Sequence, residues 1–172
     1  MTNTFFTSDT HFGHEGTAIR FKRDDGSPMR PFNSIAEQDE TLIKNWNSTV
    51  GPKDRVYHLG DFCMSRRHLE VLNELNGRIA VILGNHDIWD LKTWNKYPNV
   101  DKLLGYRVYP KEGIICSHMP VSTEQLSHRF KYNVHGHLHW RTMGDPRYVC
   151  VCVEQTDYLP ISFDEVLLRC RG

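Results

Sequence analysis

The sequence predicts an α/β fold, and two observations carry that expectation. Short apolar runs of strand length alternate with helical patterns, and clusters of Asp, Asn, His and Gly fall just past the carboxyl ends of those runs. In open α/β sheets that edge is where ligand sites collect. One architecture would therefore bring the clusters together.

The elements read in order. Thr4 to Ser8, rich in Phe and Thr, is a short strand running into Asp9-Thr10-His11. Lys22 to Asn33 is charged and holds Gly26, Pro28 and Pro31, which makes it a loop. Ser34 and Glu37 match a helix capping box, after which Ile35, Leu42, Ile43 and Trp46 share one helical face until Gly51-Pro52 stops it. Arg55 to Leu59 is a strand ending at Gly60-Asp61, and Leu69, Leu72 and Leu75 predict a second helix closed by Asn76-Gly77. Arg78 to Leu83 is a continuous apolar strand ending at Gly84-Asn85-His86-Asp87. Gly113 to Cys116 leads to Ser117-His118, and Tyr132 to Val134 leads to His135-Gly136-His137-Leu138-His139. Arg147 to Val153 is one more strand, and Ser162 with Glu165 caps a last helix that begins Val166-Leu167-Leu168. With 172 residues and no linker, repeat or low-complexity tract, a single domain over 1–172 is expected.

Composition narrows the function. Lys plus Arg number 21 and Asp plus Glu number 21, so no global field would attract long nucleic acids or anionic membranes. No apolar run approaches the roughly 20 residues needed to span a bilayer, and the start of the chain lacks a signal-peptide pattern. The five cysteines include no Cys-x-x-Cys pair, and their odd number argues against a complete disulfide framework. A reducing cytoplasm, of a cell or of a virus-infected host, is the expected location.

Histidine is the anomaly, since seven of ten fall in the strand-end clusters. Asp9-x-His11 and His137-x-His139 each separate two potential ligands by one residue; on extended backbone such residues point to one side and can face one ion. Either pair alone could equally be the wet face of a strand. Both pairs together, with three further clusters of ligand type, ask for a metal site. Periodicity does not choose among His135, His137 and His139, which all lie at two-residue spacing.

In order, Asp9-Thr10-His11, Gly60-Asp61, Gly84-Asn85-His86-Asp87, His118 and Gly136-His137-Leu138-His139 match the pattern D-x-H, G-D, G-N-H-[DE], H, G-H-x-H. In this the chain resembles the calcineurin-like metallophosphoesterase superfamily over residues 9 to 139, about three quarters of its length. Ser8-Asp9-Thr10-His11-Phe12-Gly13-His14 and Arg30-Pro31-Phe32 resemble its small bacterial and phage members. The resemblance implies a four-layer α/β/β/α sandwich of two mixed sheets flanked by helices. It implies one divalent ion held by Asp9, His11 and His139, a second held by Asn85, His118 and His137, and Asp61 bridging them. The donors are all N and O with no thiolate, which points to manganese, iron or zinc rather than copper(I) or a cluster; manganese is the first choice of the three. Two such ions share a hydroxide as nucleophile and bind both sides of a phosphate. By the same analogy His86 hydrogen-bonds a phosphate oxygen or protonates the leaving group while Asp87 orients its ring. A third nitrogen ligand or a structural turn residue is the plainer reading of His86.

The expected activity is hydrolysis of a small phosphodiester or phosphomonoester by a metal-dependent phosphoesterase. Alternatives are a nuclease for short oligonucleotides and a catalytically silent scaffold of the same fold. Two further residues are expected at the substrate. The Lys22–Asn33 loop leaves directly after the first cluster and would wall the site, with Arg30 gripping substrate away from the ions. His14 would touch substrate, support His11, or simply open a polar turn. Cys63, two residues past Asp61, has no nucleophile motif around it and reads as a small buried hydrophobe.

Overall fold

The computed structural model describes residues 2–172 and shows two mixed sheets flanked by helices. The first sheet has the order β4-β3-β2-β1-β9, built from β1 (Thr4–Thr7), β2 (Arg55–His58), β3 (Arg78–Ile82), β4 (Val100–Leu104) and β9 (Ile161–Ser162). Strands β1 to β4 run parallel and β9 antiparallel. The second sheet has the order β5-β6-β7-β8, from β5 (Arg107–Tyr109), β6 (Ile114–Ser117), β7 (Tyr132–His135) and β8 (Tyr148–Cys150), with β5 antiparallel to its neighbour and the rest parallel.

Alternation along each strand divides the core in two. Phe6, Tyr57, Ala80 and Ile82 of the first sheet meet Ile114, Cys116, Val134 and Val149 of the second, so the sheets pack face to face. Phe5, Val56, Ile79 and Val81 point the other way and are covered by Leu42, Trp46 and Val50 of the helix α1 (Ile35–Thr49) and its end. The capping box forms as expected, Glu37 N–H donating to Ser34 Oγ at 3.0 Å. Helix α4 (Phe163–Arg171) starts on the second predicted box, Ser162 and Glu165, and lies against β1, β8 and β9. The two other α-helices among the described residues, α2 (Leu91–Trp94) and α3 (Gln125–His128), are single turns.

One local reading needs correction, and two strands went unread. The predicted second helix is a 3₁₀ helix, Arg66–Glu74. Leu69, Leu72 and Leu75 recur every three residues, which is the 3₁₀ repeat itself, and stack as a buried row over the first sheet. Strands β4 and β5 had no reading in the sequence, because Val100-Asp101-Lys102-Leu103-Leu104 is a half-exposed edge without clean alternation.

Candidate metal centre

Parallel strands end together, so the segments that follow them converge on one edge. Past β1 and β2 the chains stay paired: Asp9 N–H donates to Gly60 O at 2.9 Å, His11 N–H to Asp61 O at 3.1 Å and Phe12 N–H to Phe62 O at 2.9 Å. From the second sheet, His137 N–H donates to Asp9 Oδ2 at 2.9 Å, which ties the end of β7 to the end of β1. Two glycines make this approach possible. A Cβ on Gly84 would overlap Asp61, and one on Gly136 would overlap Asp9 and Ser8.

Two groups of ligand-type side chains result, Asp9 with His11 and His139, and Asp61 with His118 and His137. Within each group the facing atoms lie within 4.8 Å of one another. His11 Nε2 stands 3.8 Å from Asp9 Oδ1 and 3.7 Å from Asp61 Oδ2; His118 Nε2 stands 3.4 Å from the same Asp61 oxygen. A single Asp61 oxygen thus faces a histidine of each group. Asn85 Oδ1 joins the second group, 3.0 Å from His118 Nε2.

The partners of these atoms show which faces are left free. Asp9 Oδ2 accepts from Ser8 Oγ–H at 2.6 Å, His137 N–H at 2.9 Å and Cys152 Sγ–H at 3.2 Å. Its Oδ1, and both ring nitrogens of His11, are buried with no hydrogen-bond partner. An unpaired buried carboxylate oxygen is costly, and a cation between Oδ1 and His11 Nε2 would remove that cost. Burial pushes the Asp9 carboxyl up, but the adjacent His11 ring and the fields of His139 and His118 outweigh it and hold it far below the usual range. Burial likewise opposes charge on His118, yet its contacts with Asp61 and Asp9 raise it to about 9. The carboxylates create a pull for positive charge that protons answer when no cation is bound. His118 Nδ1 sits 2.8 Å from Leu59 O and donates to it, leaving Nε2 turned to Asp61. The all-N,O donor set fits divalent cations such as manganese, iron or zinc.

The backbone is unusual here. Asp9, His11, Asp61, His137 and His139 all have positive φ, from 48° to 70°, and among the described residues only two other non-glycine residues do. Non-glycine residues at positive φ cluster at functional sites. The ligand pairs therefore do not sit on extended strand, as their spacing implied. The chain twists at each residue, so Asp9 and His11 share a group while His137 and His139 divide between the two.

The model of the calcineurin-like phosphoesterase family matches residues 2–154. The chain belongs to that family. It is 32% identical to the uncharacterized protein MJ1445 of Methanocaldococcus jannaschii, across 97% of this chain and 90% of that one. It is 30% identical to the gene 66 protein of Mycobacterium phage D29, across 96% and 94% of the two chains. Among solved structures it is similar to AQ665, a protein of unknown function from Aquifex aeolicus, with TM-score 0.69 and 27% identity over 96% of this chain and 98% of that one.

In this calcineurin-like chain a cavity of about 410 Å³ opens over the two groups, lined by His11, Asp61, Asn85, His86, His137 and His139 together with His14, Thr17, Phe21 and Met64. The His86 side chain is 42% exposed, its Nε2 4.0 Å from Asp61 Oδ2, so it can meet a ligand in the cavity. His14 also faces the cavity, its ring centroid 5.7 Å from that of His11. Burial, aided by the nearby charges of His11 and Arg30, brings the His14 ring down to about 4. His135 is buried elsewhere, Nδ1 donating to Gly136 O at 2.7 Å and its ring near Tyr148. Cys63 is buried, and burial raises its thiol to about 12.

Two expected roles change. Arg30 does not reach substrate: it is 1% exposed, and its guanidinium donates to Glu154 Oε1 at 2.7 Å, Gln38 Oε1 at 2.7 Å and the carbonyls of Thr10 and Asp9. It holds the first ligand loop from behind. Asp87 does not orient the His86 ring; its oxygens accept the backbone N–H groups of Asp61 at 2.7 Å, Gly84 at 2.9 Å and Phe62 at 3.0 Å. It joins the loops after β2 and β3, and so positions His86 only through the backbone. Sequence reasoning also missed Glu154, which is buried between Arg30 and His139. An acidic residue beside a strand gives no local signal of partners 15 and 124 residues earlier in the chain.

Among the described residues no helix is long and apolar enough to cross a membrane.

Proposed function

We propose that this chain is a two-metal phosphoesterase acting on a small phosphodiester or phosphomonoester. The observation that carries the reading is the pair of ligand groups, Asp9/His11/His139 and Asp61/His118/His137, opening into one cavity beside His86. Asp9, His11 and His139 would hold one divalent ion and Asn85, His118 and His137 the other, with Asp61 shared. Manganese is the ion of choice, iron and zinc the alternatives. Such ions supply Lewis-acid activation of water and of the phosphate oxygens.

The protein's own part is orientation. Leu59 O and Glu154 fix the tautomers of His118 and His139 so that each turns Nε2 inward. Asp87 clamps the loops that carry Asp61 and Asn85. His86, half out in the cavity, donates a hydrogen bond to a phosphate oxygen or a proton to the leaving group. Five free, buried cysteines support a reducing compartment, which we take to be the cytoplasm of a cell or of a phage-infected host. The partner we expect is a small phosphate ester rather than a long nucleic acid, because the formal net charge is zero.

The test is metal analysis alongside hydrolysis of 4-nitrophenyl phosphate and bis(4-nitrophenyl) phosphate by manganese-loaded protein. Two ions per chain and turnover of at least one ester are expected. Two bound ions with neither ester hydrolysed would overturn the phosphoesterase reading. Asp61→Ala should lose both ions, and a variant that still holds two tightly would overturn the bridging assignment.

A further inference from the structure

The cavity has a second half that the metal groups do not explain. Three rings run in a row outward from the metal groups: His11 to His14 is 5.7 Å between centroids, and His14 to Phe21 is 5.7 Å with the rings at 75°. Phe21 is 50% exposed and Met64 is 38% exposed, although both line the cavity. Leaving a phenyl ring half in water forgoes burial that the fold could otherwise use. The backbone holds Phe21 in that place from both sides. Its N–H donates to Gly16 O at 2.8 Å, closing a π-helical turn over Gly16–Arg20, and its carbonyl accepts from Met29 N–H at 2.8 Å. Isolated π turns recur at functional sites. Gly16 completes the arrangement, since a Cβ there would press into both the Phe21 and the His14 rings.

Charge says what this half can take. Among the described residues that line the cavity there is no lysine or arginine. A chain of further phosphates would find no counter-charge outside the metal groups, whereas a flat neutral group would meet an aromatic face and a polarizable thioether. The volume of about 410 Å³ lies in the range of small-molecule sites and leaves room for one phosphate and one organic arm.

We propose that Phe21 and Met64 form an aromatic-arm subsite, and that the substrate is a phosphate ester whose organic arm ends in a nucleobase-like ring stacked on Phe21. This rests on the phosphoesterase reading above. Base–aromatic stacking tolerates any base, so the subsite selects for an aromatic arm rather than for one nucleotide.

The experiment uses manganese-loaded full-length protein and the hydrolysis-resistant phosphonate analogues of AMP and of 1-O-methyl-ribose 5-phosphate, which keep the same closed sugar and exchange the base for a methoxy group. Affinities come from calorimetry, with ion content measured on the same samples. The AMP analogue should bind about tenfold more tightly than its ribose counterpart. Phe21→Ala and Phe21→Leu should remove that preference while changing ribose-analogue affinity less than about twofold, and Phe21→Trp should keep it. Equal affinity for the two analogues in the natural protein overturns the subsite and leaves the phosphoesterase reading intact. So does a preference that survives in Phe21→Ala, or one fully kept by Phe21→Leu, which would make the face merely apolar. If neither analogue binds protein that carries both ions, the phosphoesterase reading falls and the subsite with it.

Discussion

His139 Nδ1 donates to Glu154 Oε1 at 3.0 Å, and the same oxygen accepts from Arg30 Nε at 2.7 Å. Burial pushes the Glu154 carboxyl up, but Arg30 and His139 outweigh it and keep it ionised. The proton is thereby held on Nδ1, and Nε2 of His139 turns to Asp9 Oδ1, 3.9 Å away. Partners of this kind set the basicity and direction of a metal-binding imidazole.

Glu154→Gln should therefore weaken the ion beside Asp9 by about 10–100-fold while sparing the one beside Asp61. Chelator competition that follows the two ions separately checks this. Equal loss at both positions, or none, would show that Glu154 does not act through His139.

Arg30 should matter for stability rather than for substrate. Both Arg30 and Glu154 side chains are fully buried, so Arg30→Met would strand a buried carboxylate. The expected cost is about 3–5 kcal/mol, or roughly a 10 °C fall in Tm for a chain of this size. Urea unfolding measures it. A variant of normal stability with a raised KM would return Arg30 to the substrate.

His86→Ala should keep its ions and lose about 10²–10⁴-fold in kcat. Esters with an alkoxide leaving group should suffer more than those releasing nitrophenolate, which needs no proton. Equal losses would assign His86 to charge stabilisation instead.

Acid should destabilise the fold through His58. Burial pushes this ring down to about 3; it is fully enclosed, with Nε2 3.0 Å from Thr10 Oγ1 and Nδ1 unpartnered. In the unfolded chain the ring takes up a proton below about pH 6.5, while in the folded protein it stays neutral down to about pH 3. Its contribution is thus whole above pH 6.5 and is lost as pH falls toward 3, at up to about 1.4 kcal/mol per pH unit. Urea titrations at several pH values should show a shallower acid slope for His58→Leu. Parallel slopes would place the acid sensitivity elsewhere.

The parts legible in the sequence were those written locally. Strand runs, both capping boxes and the Asp-x-His and Gly-His-x-His spacings need only a few neighbouring residues, and the structure brings their side chains to one edge. Contacts that close over long separations left no such trace. Arg30, in a charged loop, reads from sequence as a grip on substrate, and only the fold shows Gln38 and Glu154 meeting it. Asp87 reads from sequence as the partner of its neighbour His86, yet one amide of its own turn and two from the loop after β2 claim its oxygens. The left-handed turns at the ligand residues were nearly as hidden, since Asp and His, though enriched at positive φ among non-glycine residues, signal it far more weakly than glycine does.

Each ligand group draws on both sheets: Asp9 and His11 follow β1 and His139 follows β7, while Asp61 follows β2, His118 follows β6 and His137 follows β7. An ion bound in either group would fasten the two layers together. The five left-handed ligand residues cost on the order of 1–2 kcal/mol each, and a cation would hold them in place. Folding and metal supply become linked quantities, with free ion at a hundred times its Kd adding about 2.7 kcal/mol per site. Without the ion, the unfastened chain would spend longer open to proteases, and its abundance would fall.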